Sequence, residues 1–287
     1  MHIGISRPMA SHPPVADVDA ALVARHAEAA GFECLLYGEH PITPLDDDET
    51  NYVHGRVPFF QETVVALARV SAVTTRLTFG FGVCLVPQHQ PVRLAKQLAG
   101  LDHYSGGRLI VGVGTGWNRV ETESLGGRHD RRWGQTRDYV GLWRKLWTDD
   151  RVEHHSDFLD LEPVRLFPLP ARPGGPPVLI GATSDSALRR VAEYGDGWMP
   201  AYATQDAIAE GHERIVRGRG EILRIAGEIG RDMKQVPITA ILHGEVTRDD
   251  IRRYEDAGVD RLCLMLPYVE QPEDVEGAVA ALAKMLP

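Results

Sequence analysis

The stretch Gly107–Gly126, GRLIVGVGTGWNRVETESLG, carries five glycines among branched apolar residues, and its reading decides the fold. Three readings compete: a dinucleotide loop, a buried strand that needs room, and one wall of some other cofactor site. Gly112, Gly114 and Gly116 give G-x-G-x-G, whereas the dinucleotide fingerprint needs G-x-G-x-x-G and would require its third glycine at Trp117. The dinucleotide reading fails. As the end of a parallel strand the block is coherent, because LIVGV is apolar on both faces. Small residues at the C-terminal end of such a strand let a flat ligand approach the backbone. Glycines that only relieve crowding inside a barrel would leave the same mark, so this block alone keeps both readings open.

Working outward, seven further apolar runs share its character: HIGIS, ECLLY, LTFGFGVCLV, PVLIGA, GDGWMPA, ITAILHG and RLCLMLP. Helical patterns separate them. Asp17 is the expected N-cap of the first helix and Gly31 its C-terminal stop. Pro91 is expected near N1 of the helix that SGG closes. Tyr139, Trp143 and Leu146, spaced by four and three, form a core-facing stripe. Eight βα units in 287 residues, with no linker dividing them, predict a single α/β domain over 1–287, a (β/α)8 TIM barrel. Residues 150–176 alternate and then turn Pro/Gly-rich, which predicts a β-hairpin insertion between strands four and five.

Composition narrows the function. The net charge of −9 argues against a nucleic-acid partner, which would demand clustered Lys and Arg. No apolar run approaches the roughly 20 residues that span a bilayer. The opening MHIGISRPMA lacks the basic and apolar succession of a secretory signal, and the expected location is the cytoplasm. Cys34, Cys84 and Cys263, odd in number and inside apolar runs, read as reduced core thiols. No metal is expected. His154 and His155 are adjacent on a strand and face opposite sides, the acidic run 46–49 lacks spaced oxygen ligands, and His2 stands at the wrong end of strand one for a hydrolase metal site.

The strand ends carry the chemistry. Strand two finishes in YGEHP, which places Glu39 and His40 at the barrel mouth. Strand three holds Gly80 and Gly82, where backbone can bulge. After strand five, Gly181, Ala182, Thr183 and Ser184 form a small-residue turn before a helix that begins near Asp185. Amides at that helix start, with the two hydroxyls, suit a phosphate; plain capping by Ser184 would read identically.

The blocks PVRLAKQLAGLDHYSGGRLIVGVGTGW, ESLG and PPVLIGATSDSALRRVAEYGDGWMP resemble the bacterial-luciferase-like family of TIM-barrel enzymes, in particular its coenzyme F420-dependent oxidoreductases. The resemblance covers about residues 1–205. It implies a cofactor site of Ser6, Glu39, His40, Gly82, Val83, Gly114, Thr115, Trp117 and Gly181–Ser184, with His40 and Glu39 as catalytic residues. It also implies a bulge at Gly82–Val83, often with a cis peptide, behind the cofactor ring. Departures are Glu39 where Asp is usual, Ala182 in place of a second glycine, Thr122 after Glu121 in place of an aromatic, and Trp117 where sugar-phosphate-oxidising relatives carry Glu. The implied activity is hydride transfer between F420 and a small organic substrate. An FMN-dependent monooxygenase and a non-catalytic flavin-binding protein are the alternatives. Tyr52, Phe59 and Phe60 are expected either to cover the site or to form a contact in a homodimer, the expected assembly. His243, at the end of strand seven, is the second candidate for proton transfer.

Overall fold

The chain alternates strands with helices, as the sequence periodicity requires. A computed structural model describes residues 1–7, 10–11, 18–42, 58–267, 269 and 271–286. In order these form β1 (His2–Arg7), β2 (Ala10–Ser11), α1 (Ala20–Ala29), β3 (Cys34–Tyr37), β4 (Pro58–Phe59), α2 (Thr63–Val73), β5 (Thr78–Leu85), α3 (Pro91–Ser105), β6 (Leu109–Gly114) and α4 (Arg119–Ser124). There follow α5 (Arg132–Thr148), β7 (Val152–His155), β8 (Asp160–Val164), β9 (Val178–Gly181), α6 (Asp185–Tyr194), β10 (Gly197–Met199), β11 (Ala201–Tyr202), α7 (Gln205–Glu228), β12 (Thr239–Leu242), α8 (Arg248–Asp256), β13 (Arg261–Met265) and α9 (Val275–Ala283).

Nine strands hydrogen-bond in the order β10-β9-β6-β5-β3-β1-β13-β12-β11, and every neighbouring pair is parallel. Only Pro200 separates β10 from β11. Proline has no amide to continue a ladder, and the chain changes partner there, from β9 to β12. A bridge between Trp198 and Ile238 joins the two edges. β10 and β11 therefore act as one strand that closes an eight-stranded TIM barrel, and the (β/α)8 expectation holds. β7 and β8 pair antiparallel apart from the barrel, as the hairpin expected in 150–176.

The turn chemistry follows the sequence with small shifts. The N-cap of α1 is Asp19, whose carboxylate accepts from the Ala21 amide; Asp17 lies outside the described residues, as do 46–49 and Tyr52. Gly31 stops that helix at φ +93°, a backbone that glycine adopts without cost. Pro91 opens α3 and Gly106 closes it in the left-handed conformation. Tyr139, Trp143 and Leu146 are buried, and the Trp143 indole donates to the Pro91 carbonyl at the start of α3 (3.0 Å). No helix among the described residues is long and apolar enough to cross a membrane.

Inside the barrel, Cys34, Leu36, Ile110, Leu179, Met199, Ile241 and Cys263 pack together. All three cysteines are free and buried. At the N-terminal end of the strands, Arg261 forms a two-bonded ion pair with Glu33 (2.7 and 3.0 Å) and also reaches the Thr239 hydroxyl. The opposite, C-terminal end collects the residues singled out from the sequence.

Candidate active site

β5 is the first element to be bent for the site. Its pairing with β6 slips between Phe81 and Cys84, and the Gly82–Val83 peptide is cis, as the resemblance implies. The bulge turns Val83 across the barrel mouth, where it needs space from both neighbouring strand ends. A Cβ on Gly114 would stand 2.6 Å from one Val83 methyl, and a Cβ on Gly181 would stand 2.6 Å from the other. The glycines that end β6 and β9 thus admit Val83, which becomes the platform of the mouth. Gly112, one turn of the pleat deeper, faces the Met199 sulfur and the Phe81 carbonyl, so there the crowding reading holds. Both readings of the opening glycine block apply, each to a different glycine.

The Glu39–His40 pair separates. The Glu39 carboxylate turns behind β5, where it accepts from the Leu85 amide (2.7 Å) and pairs with His89 Nε2 (3.0 Å). Burial opposes charge on His89, but Glu39 prevails and raises its pKa. Burial, with the Glu39 charge beside it, pushes the Cys84 thiol well above its usual value. Ligand atoms of Glu39, Cys84 and His89 lie within 4.8 Å of one another, the one such group among the described residues. Their mutual hydrogen bonds account for the cluster. Glu39 therefore braces the bulged strand and does not point with His40 into the mouth.

His40 instead meets Glu121, 81 residues away on α4. Its Nδ1 lies 2.9 and 3.1 Å from the two carboxylate oxygens. Glu121 is fully buried, whereas the His40 side chain is 23% exposed. Phe60 and Trp117 enclose the imidazole at ring separations of 4.7 and 6.0 Å. Trp117 is itself fixed from outside, since its carbonyl is 3.1 Å from His129 Nε2. Sequence reasoning missed the role of Glu121. Asn118-x-x-Glu121 has the spacing of a helix cap, and Asn118 does accept from the Glu121 amide (3.0 Å). The pattern reads as capping alone, and only the fold reveals that the carboxylate serves His40.

Among the other named residues, Ser6 is fully buried at the end of β1, and its hydroxyl has no partner among the described residues. Thr115 is buried and turned onto its own loop. His243 ends β12, and burial lowers its pKa. Ala182 takes φ +143°, the conformation a glycine would adopt, and its carbonyl accepts from the Trp198 indole (2.7 Å). Ser184 occupies the N-cap position of α6, but its hydroxyl turns to Ser186 (3.0 Å) and makes no cap bond. The capping reading of Ser184 is thereby reduced to position, and the first amides of α6 have no side-chain cap. Phe60 flanks His40; the side chain of Phe59 lies outside the described residues.

The model of the luciferase-like monooxygenase family matches residues 6–285. The chain belongs to that family. Its relatives include an uncharacterized Mycobacterium tuberculosis protein, 30% identical over 277 residues and 94% of each chain. An F420-dependent hydroxymycolic acid dehydrogenase of the same organism is 30% identical over 183 residues, 61% of this chain and 47% of the other. An FMNH2-dependent dimethylsulfone monooxygenase of Pseudomonas fluorescens is 29% identical over 192 residues, 66% of this chain and 48% of the other. Two solved structures share the fold over 100% of this chain and 98% of theirs. One is a Streptomyces bottropensis monooxygenase (TM-score 0.80, 19% identity), the other an F420-dependent secondary alcohol dehydrogenase (TM-score 0.75, 17% identity). The luciferase-like family is one of oxidoreductases and monooxygenases, and both deazaflavin and flavin users stand among this chain's relatives.

Proposed function

We propose that the protein is an oxidoreductase that transfers a hydride between coenzyme F420 and a small organic substrate, with His40 handling the accompanying proton. The observation that carries the reading is the His40–Glu121 pair at the mouth, beside a platform built by Val83. Two features of the chain suit a flat cofactor with a phosphate-bearing side chain. Gly114 and Gly181 leave the platform clear of Cβ atoms, and at the end of β1 the Ser6 hydroxyl is buried without a partner among the described residues. Val83, Ser6, Gly114, Thr115 and Trp117 would hold the ring, and Gly181–Ser184 with the first amides of α6 would hold the phosphate.

The deazaflavin supplies or accepts the hydride when bound, and the rest is the protein's work. Glu121 fixes the imidazole through Nδ1, so that Nδ1–H donates to the carboxylate and Nε2 carries the lone pair. Nε2 then takes a proton from an alcohol being oxidised, or, once protonated, gives one to a carbonyl being reduced. The buried Glu121 carboxylate keeps the imidazole in the same orientation in either direction. Phe60 and Trp117 pack against the ring and limit its contact with water.

The test begins with absorbance titrations of the purified protein against F420 and against FMN, followed by anaerobic turnover. Tight F420 binding with oxygen-independent turnover supports the reading; FMN binding with oxygen consumption overturns it in favour of a monooxygenase. His40→Gln should retain cofactor binding and lose about 10²–10⁴ in kcat. A variant that kept half of the activity would remove His40 from the chemistry.

A further inference from the structure

Beyond the phosphate loop two arginines without ion pairs among the described residues, Arg132 and Arg190, stand near each other, in a chain whose net charge is −9. A hydrogen-bonded line leads there from Ser184: its hydroxyl is 3.0 Å from that of Ser186, which accepts from Arg190 Nη1 at 3.0 Å. The Arg190 guanidinium carbon lies over Trp133, 4.1 Å from the ring centre. Burial pulls the Arg190 pKa down; Tyr194 and the Glu193 charge act against that, and the Arg132 charge nearby adds to it. Arg132 spends one nitrogen on the His129 carbonyl (2.7 Å), while its Nε is buried with no partner among the described residues.

Ion pairing does not account for this arrangement. Arg131 and Arg132 stand at the N-cap and N1 positions of α5, where the helix dipole favours anions, and the first turn contains no acidic residue. Arg131 is paired with Asp157 (2.7 Å). Neither Arg132 nor Arg190 has a carboxylate within ion-pair distance among the described residues, although two like charges held together would gain from one.

We propose that Arg132, at the start of α5, and Arg190, in the second turn of α6, form a second anion site that takes the carboxylate-bearing tail of the cofactor beyond its phosphate. The inference rests on Gly181–Ser184 being the phosphate loop. It bears on cofactor choice: the side chain of F420 continues past a phosphodiester into glutamyl carboxylates, whereas FMN ends at its phosphate. The guanidinium fork suits a carboxylate bidentately, and the contact with Trp133 holds Arg190 in place beforehand.

The test compares wild type, Arg132→Ala and Arg190→Ala by equilibrium titration at low salt. The ligands are F420, its phosphate-terminated form without glutamates, FMN, and a short oligoglutamate alone. Each variant should bind F420 about tenfold more weakly, as expected for loss of one charge-assisted bond, and the deficit should shrink as salt is added. Binding of the tail-less form should be unchanged. Equal losses for both forms, or no loss for either, would overturn the site. So would a change confined to the substrate KM, which would assign the arginines to substrate. If wild type binds none of the three cofactors, the functional reading fails; oligoglutamate binding that both substitutions abolish would still uphold the anion site, and its absence would end it. Arg190→Gln, which keeps the stem on Trp133, guards against a variant that unfolds.

Discussion

Val83 and Ala182 show how single residues set the mouth. Val83 reaches across two strands only because Gly114 and Gly181 have no Cβ. Gly114→Ala or Gly181→Ala should therefore destabilise the fold by about 1–3 kcal/mol, the usual cost of overpacking. Val83→Ala should recover most of that loss in a double-mutant cycle measured by urea unfolding. Additive effects would mean that Val83 is not the neighbour that matters. Ala182 holds φ +143°, which costs a side-chain-bearing residue roughly 1–3 kcal/mol. Ala182→Gly should raise stability by about 1 kcal/mol net, since glycine gives back part of the gain as chain entropy. An unchanged or lowered urea midpoint would contradict that conformation.

At the scale of elements, the end of β5 and the end of β12 carry histidines that titrate in opposite senses. His89 gains its proton through Glu39, and its pKa lies above 6.5. Its contribution to stability is thus complete below about 6.5 and is lost as pH rises through the raised value. His243 is held neutral by burial, with a pKa below 6.5. Its contribution is present above that value and is lost as pH falls. Across a pH series spanning 6.5, wild type should lose its advantage over His89→Gln as pH rises above 6.5, and its advantage over His243→Gln as pH falls below it. Urea midpoints of the three proteins across that range decide the matter, and parallel curves would refute both assignments. The strands that carry these groups were legible in the sequence because each is apolar on both faces and is followed by a helix with readable ends. The partners were not. Glu39 and His40 are adjacent, yet one braces β5 and the other meets α4. Glu121 is disguised by its place three residues after Asn118. Periodicity reports which face is buried; it does not report what a buried carboxylate is aimed at.

The whole molecule divides its labour between the two ends of the barrel. All eight strand runs were recoverable from sequence, and the family's blocks located the mouth. The run GDGWMPA reads through Pro200 as one strand, but the change of partner there, from β9 to β12, was not visible, because periodicity does not report which strand a ladder pairs with. At the N-terminal end Arg261 ties β13 to β3 through Glu33 and to β12 through Thr239, far from the Val83 platform. Both side chains of the ion pair are largely buried, 17% and 28% exposed. Removing one member leaves the other charge uncompensated, which costs 3–5 kcal/mol in a fully buried pair and about 2 kcal/mol where solvent partly screens it. Arg261→Ala should therefore lower unfolding free energy by about 2 kcal/mol and leave cofactor affinity within about twofold, since conserving the closed end serves the fold and the open end serves the site. Glu33→Gln combined with Arg261→Met should recover part of the loss, because both charges then go together. If Arg261→Ala weakened cofactor binding tenfold while unfolding was unchanged, the two ends would be coupled through the interior layer of Cys34, Cys263 and Ile241, and the division of labour would be wrong.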